Sequence, residues 1–206
     1  MGLPLHRIIL ATNENDILNR YFTTGVFSRG NVVKTVSPSI DIQVPYNFER
    51  LLYFLADENA KQVTDWMNHF KNTGSLDLGA DLLKKSNQWI LSTSANNDDT
   101  LHVIKHYYDK VNYLLDPHTA VGVKAVEKFR DQKVFDAKIP FVCLATAHAC
   151  KFADAIKAAV GVDPVPPYPE TAPTPGQKTK LTSLTKETAE EPLRKMVHDA
   201  FFRQKA

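Results

Sequence analysis

One stretch near the middle of the second half of the chain constrains the fold more than any other. Residues 141–145 are a short apolar run rich in strand-forming residues, which predicts a buried β-strand. A polar turn at residues 146–151 follows, and the apolar residues then recur with a helical period until Gly161. Ligands of open α/β sheets bind beyond the carboxyl ends of the strands. The stretch therefore predicts an α/β fold in which Thr146 and His148 lie beside a ligand.

Polar residues also follow two other predicted strands. One strand is predicted at residues 6–11, and a brief second one at residues 113–115, before a helix with an aspartate cap and a proline in its first position. In a parallel sheet, all three strand exits would meet at one edge. The cleft-lining residues predicted at these two exits are Asn13, Asn15, Asp16, His118 and Thr119. Each is also a suitable cap or turn residue, so a purely structural role is the alternative.

The composition indicates a globular chain with a sizeable core. It has 206 residues, of which 43% are hydrophobic, and its charges nearly balance at +2. Scattered charges of both signs indicate neither a nucleic-acid nor a membrane partner. The first apolar run is too short for a signal peptide or a membrane span, so the expected location is cytoplasmic. Cys143 and Cys150 lack the CxxC spacing, which predicts free thiols.

Apolar residues at helical spacing predict two core-packing helices, around residues 48–55 and 63–70. A later helix carries His102 and His106 four residues apart, on the face away from its apolar stripe. Such a pair could bind zinc, but no third ligand is near in the sequence. We therefore predict solvated histidines and no metal site.

The end of the chain changes in composition. Six prolines lie between Pro164 and Pro175, with few apolar residues among them, which predicts an extended linker. Beyond it, Leu193 and later apolar residues have helical spacing. The predicted organisation is a main domain at residues 1–161, a linker at 162–180 and a helical element at 181–206.

Three short sequence motifs resemble those of threonine synthase, a pyridoxal-phosphate enzyme of fold type II. They are ATNENDIL at residues 11–18, LDPHTAVG at 115–122 and LATAHACKF at 144–152. The motif at residues 144–152 departs from the family pattern Thr-Ala-His-Pro-Ala-Lys-Phe, because Ala149 and Cys150 replace the proline and the alanine. The initial Met-Gly-Leu-Pro lies inside the chains of that family. The resemblance thus leads us to expect the C-terminal portion of a large, mostly parallel-sheet domain, followed by the proline-rich linker and C-terminal helix.

The resemblance also implies a cofactor and a reaction. In fold type II enzymes, a serine or threonine hydroxyl contacts the pyridine nitrogen of pyridoxal phosphate, and Thr146 matches that position. The family enzyme is a carbon–oxygen lyase that acts on a small phospho-amino acid. In threonine biosynthesis it converts O-phosphohomoserine to threonine, and a related branch eliminates phosphate from phospho-amino acids to give 2-oxobutanoate.

Two parts that this chemistry requires are missing from the sequence. The eight glycines never cluster into a phosphate-binding loop, and no lysine stands in the family's Schiff-base context. The chain on its own is therefore expected to be inactive. Two hypotheses stay open at this point: a catalytic-domain portion that works only within a longer chain, or a shortened non-catalytic product with a binding or signalling role. The sequence indicates no oligomeric state.

Overall fold

Two strands that are distant in sequence lie side by side in the computed structural model, which describes residues 4–161 and 190–195. Strand β1 (Ile8–Thr12) pairs in parallel with β4 (Ile90–Ser94), with Ile8 opposite Ile90 and Thr12 opposite Ser94. A second, antiparallel pair joins β2 (Val26–Ser28) to β3 (Ser75–Asp77). The mixed α/β architecture predicted from the sequence is confirmed.

Seven α-helices accompany these strands within residues 4–161. They are α1 (Ile17–Thr24), α2 (Phe48–Leu55), α3 (Ala60–Thr73), α4 (Gly79–Asn87), α5 (Asn97–Val111), α6 (Pro117–Asp131) and α7 (Ala153–Val160). Two 3-10 turns, Pro38–Ile40 and Ala149–Phe152, lie in the connections. Helices α1, α3 and α7 each end at a glycine in the left-handed conformation, which relieves the steric cost of a side chain there.

The core has two parts. In the first, Tyr21 and Leu52 are fully buried, and Phe27 stacks on Phe48 at 4.5 Å between ring centroids and packs against Phe70 at 4.6 Å. The predicted apolar stripes of α2 and α3 supply much of this cluster. The second part lies between α5, α6 and α7, and its buried members include Val103, Ile104, Ala120 and Ile156. Burial of such side chains is the main stabilising contribution.

Two predicted strands are corrected by the structure. Residues 141–145 form no strand, and Val142 and Leu144 are 84% and 79% exposed. Residues 113–115 are also irregular. The physical reason is that a strand is stabilised by a neighbour that takes its backbone hydrogen bonds, and within residues 4–161 no other strand lies beside either segment.

The C-terminal part is described only in one short piece. The chain divides into two compact units, residues 1–167 and 168–206. Of the second, residues 190–195 are helical, and Arg194 forms an ion pair with Glu190 at 2.9 Å. The proline-rich run and the rest of the predicted terminal helix lie outside the described residues, so the domain boundaries stay predictions.

Within residues 4–161 and 190–195, no helix has both the length and the hydropathy of a transmembrane span.

Candidate functional site

The polar exit of β1 forms a buried hydrogen-bond cluster, which we call the asparagine cluster: Asn13, Asn15, Thr35, Ser37 and Asp41. Asn13 is 2% exposed, and its amide nitrogen donates to Asp41 Oδ1 at 2.7 Å and to Thr35 Oγ1 at 2.8 Å. Its amide oxygen accepts from the backbone N–H of Asn15 at 2.8 Å. These partners use both ends of the Asn13 amide within the protein.

Asn15 and Asp41 complete the cluster and fix the loop at residues 31–41 by hydrogen bonds to its backbone. Asn15 exchanges two hydrogen bonds with the backbone of Val33, donating to its carbonyl and accepting from its N–H, both at 2.8 Å. The Asp41 carboxylate accepts from the backbone N–H of Thr35 at 2.9 Å and from its hydroxyl at 2.6 Å. The loop is therefore fixed to the end of β1, where the sequence predicts a cleft wall.

Asp16 lies apart from this cluster. Its carboxylate pairs with Arg20 one turn along α1 at 3.0 Å. Arg20 also donates to Ser28 Oγ at 3.2 Å and to Gln43 Oε1 at 3.3 Å. Asp16 thus anchors an arginine that joins α1 to β2 and the following loop.

The start of α6 forms a second cluster, built on the Asp116 carboxylate. Asp116 is 3% exposed and caps the helix by accepting from the backbone N–H groups of His118 at 2.9 Å and Thr119 at 3.3 Å, as predicted. Its other oxygen accepts a short hydrogen bond from the Thr119 hydroxyl. The His118 ring contacts Asp116 through Nδ1 at 3.1 Å and, through Nε2, accepts from the backbone N–H of Ser39 at 3.0 Å.

Thr146 joins this second cluster through its backbone. Its N–H donates to Thr119 Oγ1 at 3.1 Å, and the residue is exposed. Thr146 makes its hydrogen bond to the described residues through the backbone N–H and not through the hydroxyl. The hydroxyl is therefore available to a ligand. Thr146 is therefore held by its main chain and open at its side chain.

His148 begins the 3-10 turn that leads into α7. Its Nδ1 accepts from the Cys150 N–H at 3.3 Å and lies 3.0 Å from Cys150 Sγ. A small cavity of about 130 Å³ separates this turn from residues 113–116, with Thr119, Ala145 and Ala147 among its lining residues. Complete small-molecule pockets are typically about 300–1,000 Å³, so this cavity is too small to be one by itself.

The structure thus brings most of the predicted residues together. The Ser39–His118 hydrogen bond connects the loop held by Asn13 and Asn15 to the start of α6, and Thr119 connects α6 to Thr146. Asp16 lies outside these contacts. Sequence analysis did not select Thr35, Ser37 and Asp41 as site residues, although a run of short polar residues around Pro38 was a signal of a hydrogen-bonded turn.

The two cysteines and the histidine pair of α5 belong to no metal-binding cluster of the described residues. Cys143 and Cys150 are free, as predicted. Burial raises the pKa of the Cys143 thiol, and the positive charge of Arg130 opposes this shift in part. His102 and His106 are exposed and stack along α5. In residues 4–161 and 190–195, no three metal-ligating side chains lie close enough to hold an ion.

Comparison with known proteins gives a consistent set of relatives. The family model described as "Threonine synthase, C-terminal" matches residues 119–196. Threonine synthase from Schizosaccharomyces pombe is 37% identical over 185 residues, covering 78% of this chain and 35% of the relative. Threonine synthase-like 2 from Homo sapiens is 35% identical over 168 residues, covering 81% of this chain and 34% of the relative.

Solved structures agree. Pyridoxal-phosphate-bound threonine synthase from Brucella melitensis superposes with a TM-score of 0.75 at 40% identity, covering 81% of this chain and 35% of that one. Yeast threonine synthase superposes with a TM-score of 0.74 at 33% identity, covering 96% and 38%. The chain matches the C-terminal region of the threonine synthase family. It spans about a third of the length of the curated relatives it matches.

The residues of this threonine synthase-like region fit one part of a pyridoxal-phosphate site. The exposed Thr146 hydroxyl is a suitable partner for a pyridine nitrogen, and the fixed backbone beneath it would hold that contact in place. The open cavity beside it leaves room for only part of a cofactor. The residues present therefore fit one wall of such a site, and not a whole site.

Proposed function

We propose that this chain is the C-terminal part of a threonine synthase-like, pyridoxal-phosphate-dependent phospho-lyase and supplies the wall that faces the cofactor ring. The observation that carries the proposal is Thr146, an exposed hydroxyl on a turn whose backbone is anchored to a buried threonine. The similarity to threonine synthases over most of the chain supports it.

In this proposal, Thr146 contacts the pyridine nitrogen, and His148 lies beside it at the cleft surface. The wall of the cleft is built from Asn13, Asn15, His118 and Thr119, whose hydrogen bonds hold it in place. Asp16 stabilises the end of β1 through its ion pair with Arg20. A threonine hydroxyl can donate one hydrogen bond to the ring nitrogen without giving up its proton, whereas an aspartate would favour a protonated ring. Pyridoxal phosphate, when bound, acts as the electron sink for the reaction.

The proposed substrate is a small phospho-amino acid. The reaction is O-phosphohomoserine to threonine, or elimination of phosphate from a phospho-amino acid to 2-oxobutanoate. The chain alone is proposed to be inactive, because its sequence supplies neither the Schiff-base lysine context nor the glycine-rich loop. The other hypothesis, a non-catalytic product with a binding or signalling role, gains no support from the contacts described above.

Substitutions of Thr146 in the complete protein that carries this region test the proposal. Thr146→Val keeps the side-chain volume but removes the hydroxyl, so cofactor binding should weaken by about 0.5–1.5 kcal/mol and the cofactor's absorption spectrum should shift. Thr146→Asp should change the ratio of products as well as the rate. A suitable control is Thr64→Val, which removes an exposed hydroxyl on α3 that bonds only the Ala60 carbonyl. Unchanged affinity, spectra and product ratios in both Thr146 variants would contradict the proposal.

A further inference from the structure

We infer that Asp116 is a positioning residue for the proposed cofactor contact: its carboxylate orients the Thr119 hydroxyl, which in turn holds the backbone of Thr146. The inference deepens the proposed function and rests on it for the role of the Thr146 side chain. The two hydrogen bonds themselves are properties of this chain and can be tested without any cofactor.

The first step is the direction of the Thr119 hydroxyl. A hydroxyl has one proton, and Thr119 donates it to Asp116 Oδ2. The remaining lone pairs of Thr119 Oγ1 can then only accept, and one of them accepts the Thr146 N–H at 3.1 Å. By accepting the hydroxyl proton, Asp116 therefore keeps Thr119 Oγ1 as an acceptor for the Thr146 N–H.

The second step is the orientation of the Asp116 carboxylate itself. Its Oδ1 accepts from the backbone N–H groups of His118 and Thr119. The His118 ring accepts from Ser39 N–H at Nε2, which assigns its proton to Nδ1, and Nδ1 lies 3.1 Å from the same Oδ1. Three donors at one oxygen and one at the other leave the carboxylate a single favourable orientation. Its side chain is 1% exposed, so water does not compete for these bonds.

The third step is the connection between segments. Through His118, the carboxylate reaches the backbone of the loop that the asparagine cluster holds, and through Thr119 it reaches the turn that carries Thr146. The positions of two walls of the proposed cleft thus both depend on the buried Asp116 carboxylate. A change at Asp116 should move the Thr146 turn even though Asp116 touches neither its side chain nor the solvent.

Amide hydrogen exchange in the full 206-residue chain tests the two bonds directly. Thr119→Val removes the acceptor and should speed exchange of the Thr146 N–H by about three- to tenfold, the factor expected for losing one neutral hydrogen bond. Thr119→Ser keeps the hydroxyl and should stay within about twofold of the unsubstituted chain. The Lys151 N–H, which donates to the His148 carbonyl at 3.1 Å in the same turn, is the internal reference.

Asp116→Asn tests the orienting role while preserving the helix cap, because asparagine is also a good N-cap. Its oxygen must stay toward the three donors, so its NH₂ group faces the Thr119 hydroxyl. The hydroxyl then becomes an acceptor for that group, and its own proton competes for the position of the Thr146 N–H. Exchange at Thr146 should again rise about three- to tenfold relative to Lys151. Unchanged exchange in Asp116→Asn or in Thr119→Val, or an equal rise at Lys151, would overturn the inference.

Cofactor affinity in the complete protein then separates this inference from the proposed function. Asp116→Asn should weaken pyridoxal-phosphate binding when Thr146 is present and have little further effect in a Thr146→Val background, since both act on the same contact. If Thr146→Val leaves affinity and spectrum unchanged, the proposed role of Thr146 fails, while the exchange result still decides whether Asp116 positions its backbone. Equal losses from Asp116→Asn in both backgrounds would show that Asp116 acts elsewhere and overturn the inference.

Discussion

The exit of β1 and the turn at residues 146–148 are built from similar residues but differ in where their hydrogen bonds end. At the β1 exit, Asn13 and Asn15 are buried, and both ends of each amide are used within the chain. In the turn, Thr146 and His148 are exposed, and Thr146 offers a hydroxyl to its surroundings. The polar residues of the two places therefore differ in role: those at the β1 exit are satisfied within the chain and fix the loop at residues 31–41, whereas Thr146 and His148 are exposed.

The apolar residues show the same difference. The backbone of β1 is paired with β4, whereas residues 141–145 have no strand beside them in the described residues and expose Val142 and Leu144. Exposed apolar side chains of this kind are typical of surfaces that another segment covers. The 141–148 stretch thus exposes both apolar and polar side chains, while at the β1 exit the backbone is paired and the Asn13 and Asn15 side chains are buried.

The largest expected effect comes from breaking the closed region at Asp41. Asp41→Ala removes one acceptor from the Asn13 and Asn15 amides, which keep other partners, and removes the acceptor of the Thr35 backbone N–H. We expect a loss of about 3 kcal/mol in the free energy of unfolding, measured by denaturant titration. Asp109→Ala, which removes one exposed ion pair with Lys105, is the control and should cost less than about 1 kcal/mol. A loss below 1 kcal/mol for Asp41→Ala would mean that the cluster does not hold the loop.

A smaller effect is expected for the two thiols of the open region. Cys143 is exposed by area, yet nearby atoms desolvate its sulfur enough to raise its pKa, so at a given pH it has less reactive thiolate than an ordinary thiol. Cys150 instead lies against the His148 imidazole. Iodoacetamide should label Cys150 faster than Cys143 near pH 7.5, and peptide mass spectrometry measures the two labelling rates.

The pH dependence gives the sign of this difference. Because the Cys143 pKa is raised, its labelling rate should keep rising with pH beyond the range in which an ordinary thiol, with a pKa of about 8.5, levels off. His148→Ala should leave the labelling of Cys143 unchanged. Preferential labelling of Cys143 at neutral pH would contradict the assignment of the two environments.

The smallest effect on stability is expected from the open apolar residues. Val142→Ser combined with Leu144→Ser should change the free energy of unfolding by less than about 0.5 kcal/mol, because neither side chain is buried within the chain. Binding of a hydrophobic dye should nevertheless fall. Leu52→Ala, at a fully buried position, should cost about 2–5 kcal/mol and serves as the contrast. A loss of several kcal/mol in the double variant would show that the segment is packed.

Local patterns predicted the helices well, because each helix satisfies its own backbone and needs only one apolar stripe. The stripes in α2 and α3, the aspartate cap of α6 and the glycine that ends α7 were all identified from the sequence. Strand pairing depends on a second segment, so residues 141–145 resembled a strand although no strand of residues 4–161 lies beside them. The β2–β3 pair was missed because three-residue strands have too little periodicity to detect.

The site was predicted in part for a related reason. The three sequence motifs indicated Asn13, Asn15, His118, Thr119 and Thr146, and hydrogen bonds connect the segments that carry them. What the motifs did not indicate is the direction in which each polar group points. Asn13 is oriented by Asp41, which is distant in sequence. The sequence identifies an asparagine but does not tell whether its amide points into the core or toward the solvent.

The parallel pairing of β1 with β4 also has a consequence for the order of folding. Ser92 donates to the carbonyl of Leu10 across 82 positions of sequence, and the segment between them contains four helices and the β2–β3 pair. Closing so long a loop has an entropic cost that is offset only once the intervening segment has become compact. We expect helices α1 to α4 to collapse first and β1 to join β4 late, so that substitutions in the β1–β4 pair should mainly speed unfolding and leave the folding rate nearly unchanged.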